Sequence, residues 1–198
     1  MSSAAGGIVP GSPRGFRRFV DRGAIFAGWV GLGMAVVIAI AFELIIAVQS
    51  LVFIAAPIGG VLIGAYANVR AVRRRPVWHV FTNAAWAALV TGLSLALIYG
   101  SIRLLFVYAD TGYRIAAEGG QLTCATGPEC TWLRYVEAGF GAELLAAGVT
   151  DGATYGDYIV RSVVQSGGVI ILLTFAGAML AAAGRSVRPT PPGEGPPA

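Results

Sequence analysis

The chain has 198 residues, 56% of them hydrophobic and only 12% charged. A water-soluble domain of this size carries about a quarter charged residues, so the composition excludes an ordinary soluble domain and points to lipid as the solvent. The net charge is +4, from 14 arginines and no lysine against 10 acids. Because those arginines are placed as membrane flanks are, they do not indicate a nucleic-acid partner.

Residues 1–23 form a Gly-, Ser- and Pro-containing tail that turns basic at Arg14, Arg17, Arg18 and Arg22. Four apolar runs follow, at 24–48, 51–69, 84–109 and 159–183. The hydrocarbon core of a bilayer is about 30 Å thick and a helix rises about 1.5 Å per residue, so about 20 apolar residues suffice to cross it. The expected fold is therefore an all-α integral membrane protein, with four transmembrane helices arranged as two hairpins. The first pair is joined tightly at Gln49 and Ser50. These residues make no small-residue cleavage site, and the first run exceeds a signal-peptide core, so a cleaved signal is not expected.

In the second run, Pro57 and the pair Gly59-Gly60 predict a kink. Gly60 and Gly64 form a G-x-x-x-G spacing that lets a neighbouring helix approach closely, and Gly167 and Gly168 offer the same in the fourth run. Residues 59–63 and 167–171 also read alike, a faint trace of internal duplication. The third run is longer than a bilayer needs and should tilt or protrude.

Ten arginines sit at one set of helix ends: Arg14, Arg17, Arg18, Arg22, Arg70, Arg73, Arg74, Arg75, Arg185 and Arg188. Four lie at or beyond the opposite ends: Arg103, Arg114, Arg134 and Arg161. That asymmetry alternates correctly across four spans and predicts a cell-membrane protein with both termini cytoplasmic and the loop 110–157 extracytoplasmic. Arg17, Arg18, Arg22, Arg70, Arg73, Arg74 and Arg75 would then form an inner-leaflet basic patch. Each could gain about 1 kcal/mol from an anionic lipid surface, although topology alone explains them. Residues 188–198 are proline-rich and read as an extended, solvated tail. The organisation is thus a basic tail (1–23), a four-helix membrane domain (24–187) and a second tail (188–198).

Within the loop, Cys124 and Cys130 flank a Gly-Pro turn, and on an oxidising face they are expected to form a disulfide. After them Trp132, Leu133, Val136, Phe140 and Leu144 recur at helical spacing, with Arg134, Glu137 and Glu143 off the stripe. This predicts an amphipathic helix, interrupted by Gly139 and Gly141, that caps the bundle or lies on the membrane.

The chemistry that is missing narrows the function. His79 is the one histidine, and no C-x-x-C, phosphate loop or nucleotide fingerprint occurs. A metal centre and a cofactor are therefore not expected, and an enzyme is the weakest class. The remaining candidates are Glu43, Arg103 and Arg161, expected at similar depth near one membrane face, with Gln165 four residues from Arg161 on the same helix face. A charge at the centre of a spanning helix costs about 3 kcal/mol on insertion scales, and less near the edge. Snorkelling to the headgroups is the simplest reading, and an ion pair between Glu43 and Arg103 or Arg161 is the sharper one. The sequence supports an accessory, assembly or scaffold subunit with membrane lipids and a protein partner or second copy as neighbours. The alternative is a small oligomeric channel or transporter that uses these charges.

Overall fold

A computed structural model of the chain describes residues 20–45, 50–69, 76–109 and 124–186, except for the side chains of residues 43–45 and of Ser186. Long apolar segments satisfy their own backbone hydrogen bonds only as helices in a medium without water, and every regular element among the described residues is helical. Helix α1 is Arg22–Ala39, continued by a π-helical turn, Ile40–Ile45. Helix α2 is Ser50–Val69 and α3 is Val77–Tyr108. Two short helices, α4 (Pro128–Tyr135) and α5 (Gly141–Ala146), precede α6 (Gly152–Ser186). Four of these helices are long and apolar enough to cross a membrane.

Two boundaries differ from the apolar runs. Helix α3 starts at Val77, directly after Pro76, and α6 starts at Gly152. The expected loop 110–157 is corrected accordingly, since its last residues are the opening turns of α6. Both added stretches mix polar and apolar residues, so hydropathy does not mark them. The α6 extension is fixed instead by its cap: the Asp151 carboxylate accepts from the Thr154 amide at 2.8 Å, and the Thr154 hydroxyl accepts from the Asp151 amide at 3.0 Å. Pro57 lies inside a helix that continues through it to Val69.

Side-chain contacts fix the direction and register of the four long helices. Asp21 meets Asn83, and Gly28 faces Val90, so α1 and α3 run the same way. Gly60 abuts Thr174 and Gly64 abuts Ala178, so α2 and α6 also run together. Gly100 meets Val163 while Ala84 and Ala88 pack with Ala178 and Ala182, which sets α3 against α6 in the opposite direction. Ala35 and Ala39 cluster with Val52 and Ala56, and Ala24 and Ala27 with Ile63 and Ala67, so α1 opposes α2. Helix α3 touches α1, α2 and α6.

Small residues fill the seams. Eleven residues of α3 are buried, among them Ala84, Ala87, Ala88, Gly92 and Gly100. The buried hydroxyls of Thr91 and Thr174 donate to the carbonyls of Ala87 and Ile170, each at 2.8 Å, and so remain satisfied without water. Outside, the surface is apolar: Trp29, Leu172 and Leu180 are 69%, 69% and 70% exposed. An exposed apolar belt of this kind is stable only against a nonpolar neighbour.

The helices are unequal in length. Helix α2 has 20 residues, about 30 Å, whereas α6 has 35, about 52 Å. The Gly60–Thr174 register aligns the start of α2 with about residue 164 of α6. Roughly three turns of α6, and roughly two of α3 past Gly100, therefore project beyond α2. On that projection sits α4–α5.

Candidate functional site

The projecting ends of α3 and α6 are held together by the α4–α5 cap. Cys124 and Cys130 lie at disulfide-bonding distance, with Cα atoms 5.5 Å apart, and Pro128 opens α4, where its missing N–H costs nothing. One turn of α4 then grips both long helices. The Thr131 hydroxyl donates chiefly to the Gly127 carbonyl at 3.1 Å and also lies 3.5 Å from the Val107 carbonyl of α3, and the Glu129 carboxylate accepts from the Gly152 amide of α6 at 2.9 Å. Glu129 thereby supplies an acceptor and a negative charge at a helix N-terminus, where free N–H groups favour both. Below the grip Val107, Leu144, Val149, Tyr155 and Ile159 form a small buried core, with Trp132 and Leu104 against it.

The cap leaves much of its apolar stripe uncovered. Leu144 is buried and Trp132 half-buried, but Leu133, Val136 and Phe140 are exposed, and Leu145 is 63% exposed. The cause is local. Gly139 adopts φ 93°, a left-handed conformation open to glycine, and breaks the helix in the π-like stretch Val136–Phe140. The stripe on either side of that break can no longer face one core. Gly141, expected to interrupt as well, instead starts α5.

The polar residues singled out in the sequence lie near one level but on different faces. Arg103 is half-buried on α3, its guanidinium 5.9 Å from the centroid of the Tyr99 ring, which itself stands edge-on to Phe53. The Gly100–Val163 contact brings Arg161 close to the same level. Arg161 and Gln165, however, are both exposed on α6. Glu43 belongs to the π-helical turn that ends α1; its side chain, and with it the ion pair to either arginine, lies outside the described residues.

The four packing glycines divide in the same way. A Cβ on Gly60 would collide with the Thr174 carbonyl oxygen, and one on Gly64 would stand 2.8 Å from the Ala178 Cα. Gly167 faces the Ala96 methyl at an ordinary 3.5 Å, and Gly168 faces open space. The similar runs 59–63 and 167–171 thus serve different contacts. Sequence reading missed Gly177, whose Cβ would collide with the Pro57 carbonyl oxygen. Gly60, Gly64 and Gly177 together make a close seam, where α2 and α6 meet backbone to backbone.

At the opposite end of the bundle Arg22 is exposed, whereas Arg17, Arg18, Arg70, Arg73, Arg74 and Arg75 lie outside the described residues. A buried polar group missed in the sequence sits at this end. Asn83, fully buried, accepts from the Asp21 amide at 3.0 Å and donates to the Asp21 carboxylate at 3.2 Å. Asn68 donates to the Gly64 carbonyl at 3.1 Å, and His79 stacks on Trp78 with centroids 3.7 Å apart. A polar residue in an otherwise apolar run was the available signal, but nothing in the sequence links positions sixty-two apart.

No family model, curated protein or solved structure matches this chain. Its own residues must therefore carry any functional reading. Among the described residues no three of His, Cys, Asp and Glu come together as a metal site would require. What the structure does present is an anchored cap with exposed apolar side chains and, beneath it, a bundle filled with Ala and Gly.

Proposed function

We propose that this chain is a multi-pass protein of the cell membrane without catalytic chemistry of its own, an accessory, assembly or scaffold subunit that holds a second membrane protein against its α4–α5 cap. One observation carries the reading: Leu133, Val136, Phe140 and Leu145 stay exposed on a segment fastened to both α3 and α6. An apolar surface on a rigid support is the form that protein-docking surfaces take.

The arginine asymmetry supports cytoplasmic tails, with the two hairpins crossing from that side. On this reading the cap lies outside the cell, where a disulfide persists. The length of α2 matches a hydrocarbon core of about 30 Å, so Arg103 and Arg161 would stand at headgroup level, where arginines snorkel. The arginines of the opposite end would then meet the inner leaflet and its anionic lipids. A channel or transporter would need these polar groups along a path. With Arg161 and Gln165 exposed on α6, that path would have to run between copies.

Site-specific photocrosslinking in native membranes tests the proposal. A crosslinker at Val136 or Leu145 should capture one protein in defined stoichiometry, while one at Leu180 should capture lipid. Capture of lipid alone from all three positions would refute a docking cap.

A further inference from the structure

The exposed stripe of the cap stands too far out for lipid to cover it. Tyr135 lies against Tyr155 of α6, with ring centroids 5.9 Å apart, and Phe140 lies against Tyr135 at 6.0 Å. Tyr155 precedes the level at which α2 starts, about residue 164, by about 14 Å of helix. The headgroup layer adds only about 5–8 Å to each side of the hydrocarbon core. With α2 spanning that core, as proposed, Phe140 and the neighbouring Val136 sit beyond the headgroups, in water.

The charges around the stripe indicate what would cover it. From 135 to 160 every charged side chain is acidic. Glu129 and Asp151 are engaged, by the Gly152 amide and by Thr154. Glu137 and Glu143 are exposed among Val136, Phe140 and Leu145, and neither has a hydrogen bond or ion pair among the described residues. The whole segment 110–157 holds seven acids against two arginines, a net charge of −5 in a chain of +4. Residues 110–123, which lie outside the described residues, share that sign, with Asp110 and Glu118 against Arg114.

A helix that settles on lipid carries Lys and Arg on its polar face, which this one lacks. A second copy would set acids against acids. The occupant of opposite sign is a basic polypeptide surface, whose charges meet the two unengaged carboxylates at the rim while its apolar centre covers the stripe. Short extracytoplasmic loops of membrane proteins are poor in Lys and Arg, whereas long segments cross largely regardless of charge. A folded domain is therefore the form such a surface takes.

We infer that the protein held by the cap presents a folded extracytoplasmic domain with an apolar centre rimmed by lysine or arginine, those cations lying against Glu137 and Glu143. This rests on the docking role proposed for the cap and adds the chemistry of its partner.

A photocrosslinker at Leu145 of the full-length protein in native membranes provides the test, read as the yield of its protein adduct. Glu137→Gln with Glu143→Gln should lower that yield about fivefold, as for two exposed ion pairs lost. Charge reversal, Glu137→Lys with Glu143→Lys, should lower it further, and Arg134→Gln should not lower it. Raising salt to about 1 M should lower the native yield severalfold with no substitution made. Because the chain has no lysine, a carbodiimide-formed amide from Glu137 or Glu143 to a lysine would identify that lysine as the partner's. A protein adduct whose yield ignores both charge and salt would overturn the inference and leave the docking role standing. An adduct with a second copy, or with this chain's own residues 110–123, would overturn it too. Lipid adducts alone would overturn the docking role and the inference with it.

Discussion

Replacing Gly60 with alanine should loosen α2 from α6. The added methyl would stand 2.9 Å from the carbonyl carbon of Thr174 and 3.0 Å from its Cα, and closer still to the oxygen. Carbon atoms sit best at about 3.5–4.0 Å, so the shortfall is about 0.5–1 Å. The obstacle is backbone, which cannot rotate aside, so the helices must part by that amount. Such a gap forfeits about a quarter to a half of each contact's dispersion energy, and overpacking of this kind costs about 1–3 kcal/mol. Alanine in a helix returns about 1 kcal/mol relative to glycine. The net loss is about 1 kcal/mol, which for a chain of this size lowers Tm by about 2–4 °C. Gly33→Ala provides the control, since nothing lies within 4 Å of its Cβ and only the propensity gain operates. Thermal unfolding of the purified protein in mild detergent, followed by circular dichroism, should show Tm falling for Gly60→Ala and holding or rising for Gly33→Ala. Equal shifts in the same direction for both would refute the backbone seam.

Asn83→Ala should cost about 1–3 kcal/mol, because it strips the Asp21 amide of its buried acceptor; Asp21→Ala should cost less in that background than alone, and additive losses would deny the coupling. Converting Cys124 and Cys130 to serine should destabilise the cap by about 2 kcal/mol, read as about 30-fold faster amide exchange in α4 and α5 with the long helices unchanged. Cap exchange unaltered by that change would show the bond to be dispensable. The Asp151 carboxyl is held below its ordinary value, first by the Thr154 backbone amide and then by the Thr154 hydroxyl. A depressed folded-state value means the stabilisation is present above the unfolded pKa and is lost as pH falls through the folded one. Protection of the first turn of α6 should therefore decline below about pH 4, and protection independent of pH would contradict the cap.

Four helices were legible because an apolar run of about 20 residues has few alternatives in lipid or in a helical bundle. Gly60 and Gly64 were legible because small residues at a four-residue spacing leave a groove that a neighbour fills. Gly177 was not, since its contact depends on which helix lies opposite, and α2 beside α6 in parallel is a property of the assembled bundle. The cysteine pair followed from its turn and short spacing. The early start of α6 escaped because it depends on the Asp151–Thr154 cap and on tertiary contact through Glu129, and that of α3 because its opening turns after Pro76 mix polar and apolar residues that hydropathy does not mark. The cap's stripe was visible as a pattern, but which half of it would be covered was decided by the turn at Gly139.

The proposed orientation, four spans with the cap outside the cell, makes one demand that labelling in intact cells can meet. Ala142 lies exposed on α5, and Gly184 lies exposed near the end of α6, at the other end of the bundle. With a single cysteine at each position in turn, an impermeant thiol reagent should label Ala142→Cys at once and Gly184→Cys only after the membrane is opened. Labelling of Gly184→Cys in intact cells, or protection of Ala142→Cys, would contradict both the orientation and the docking role built on it.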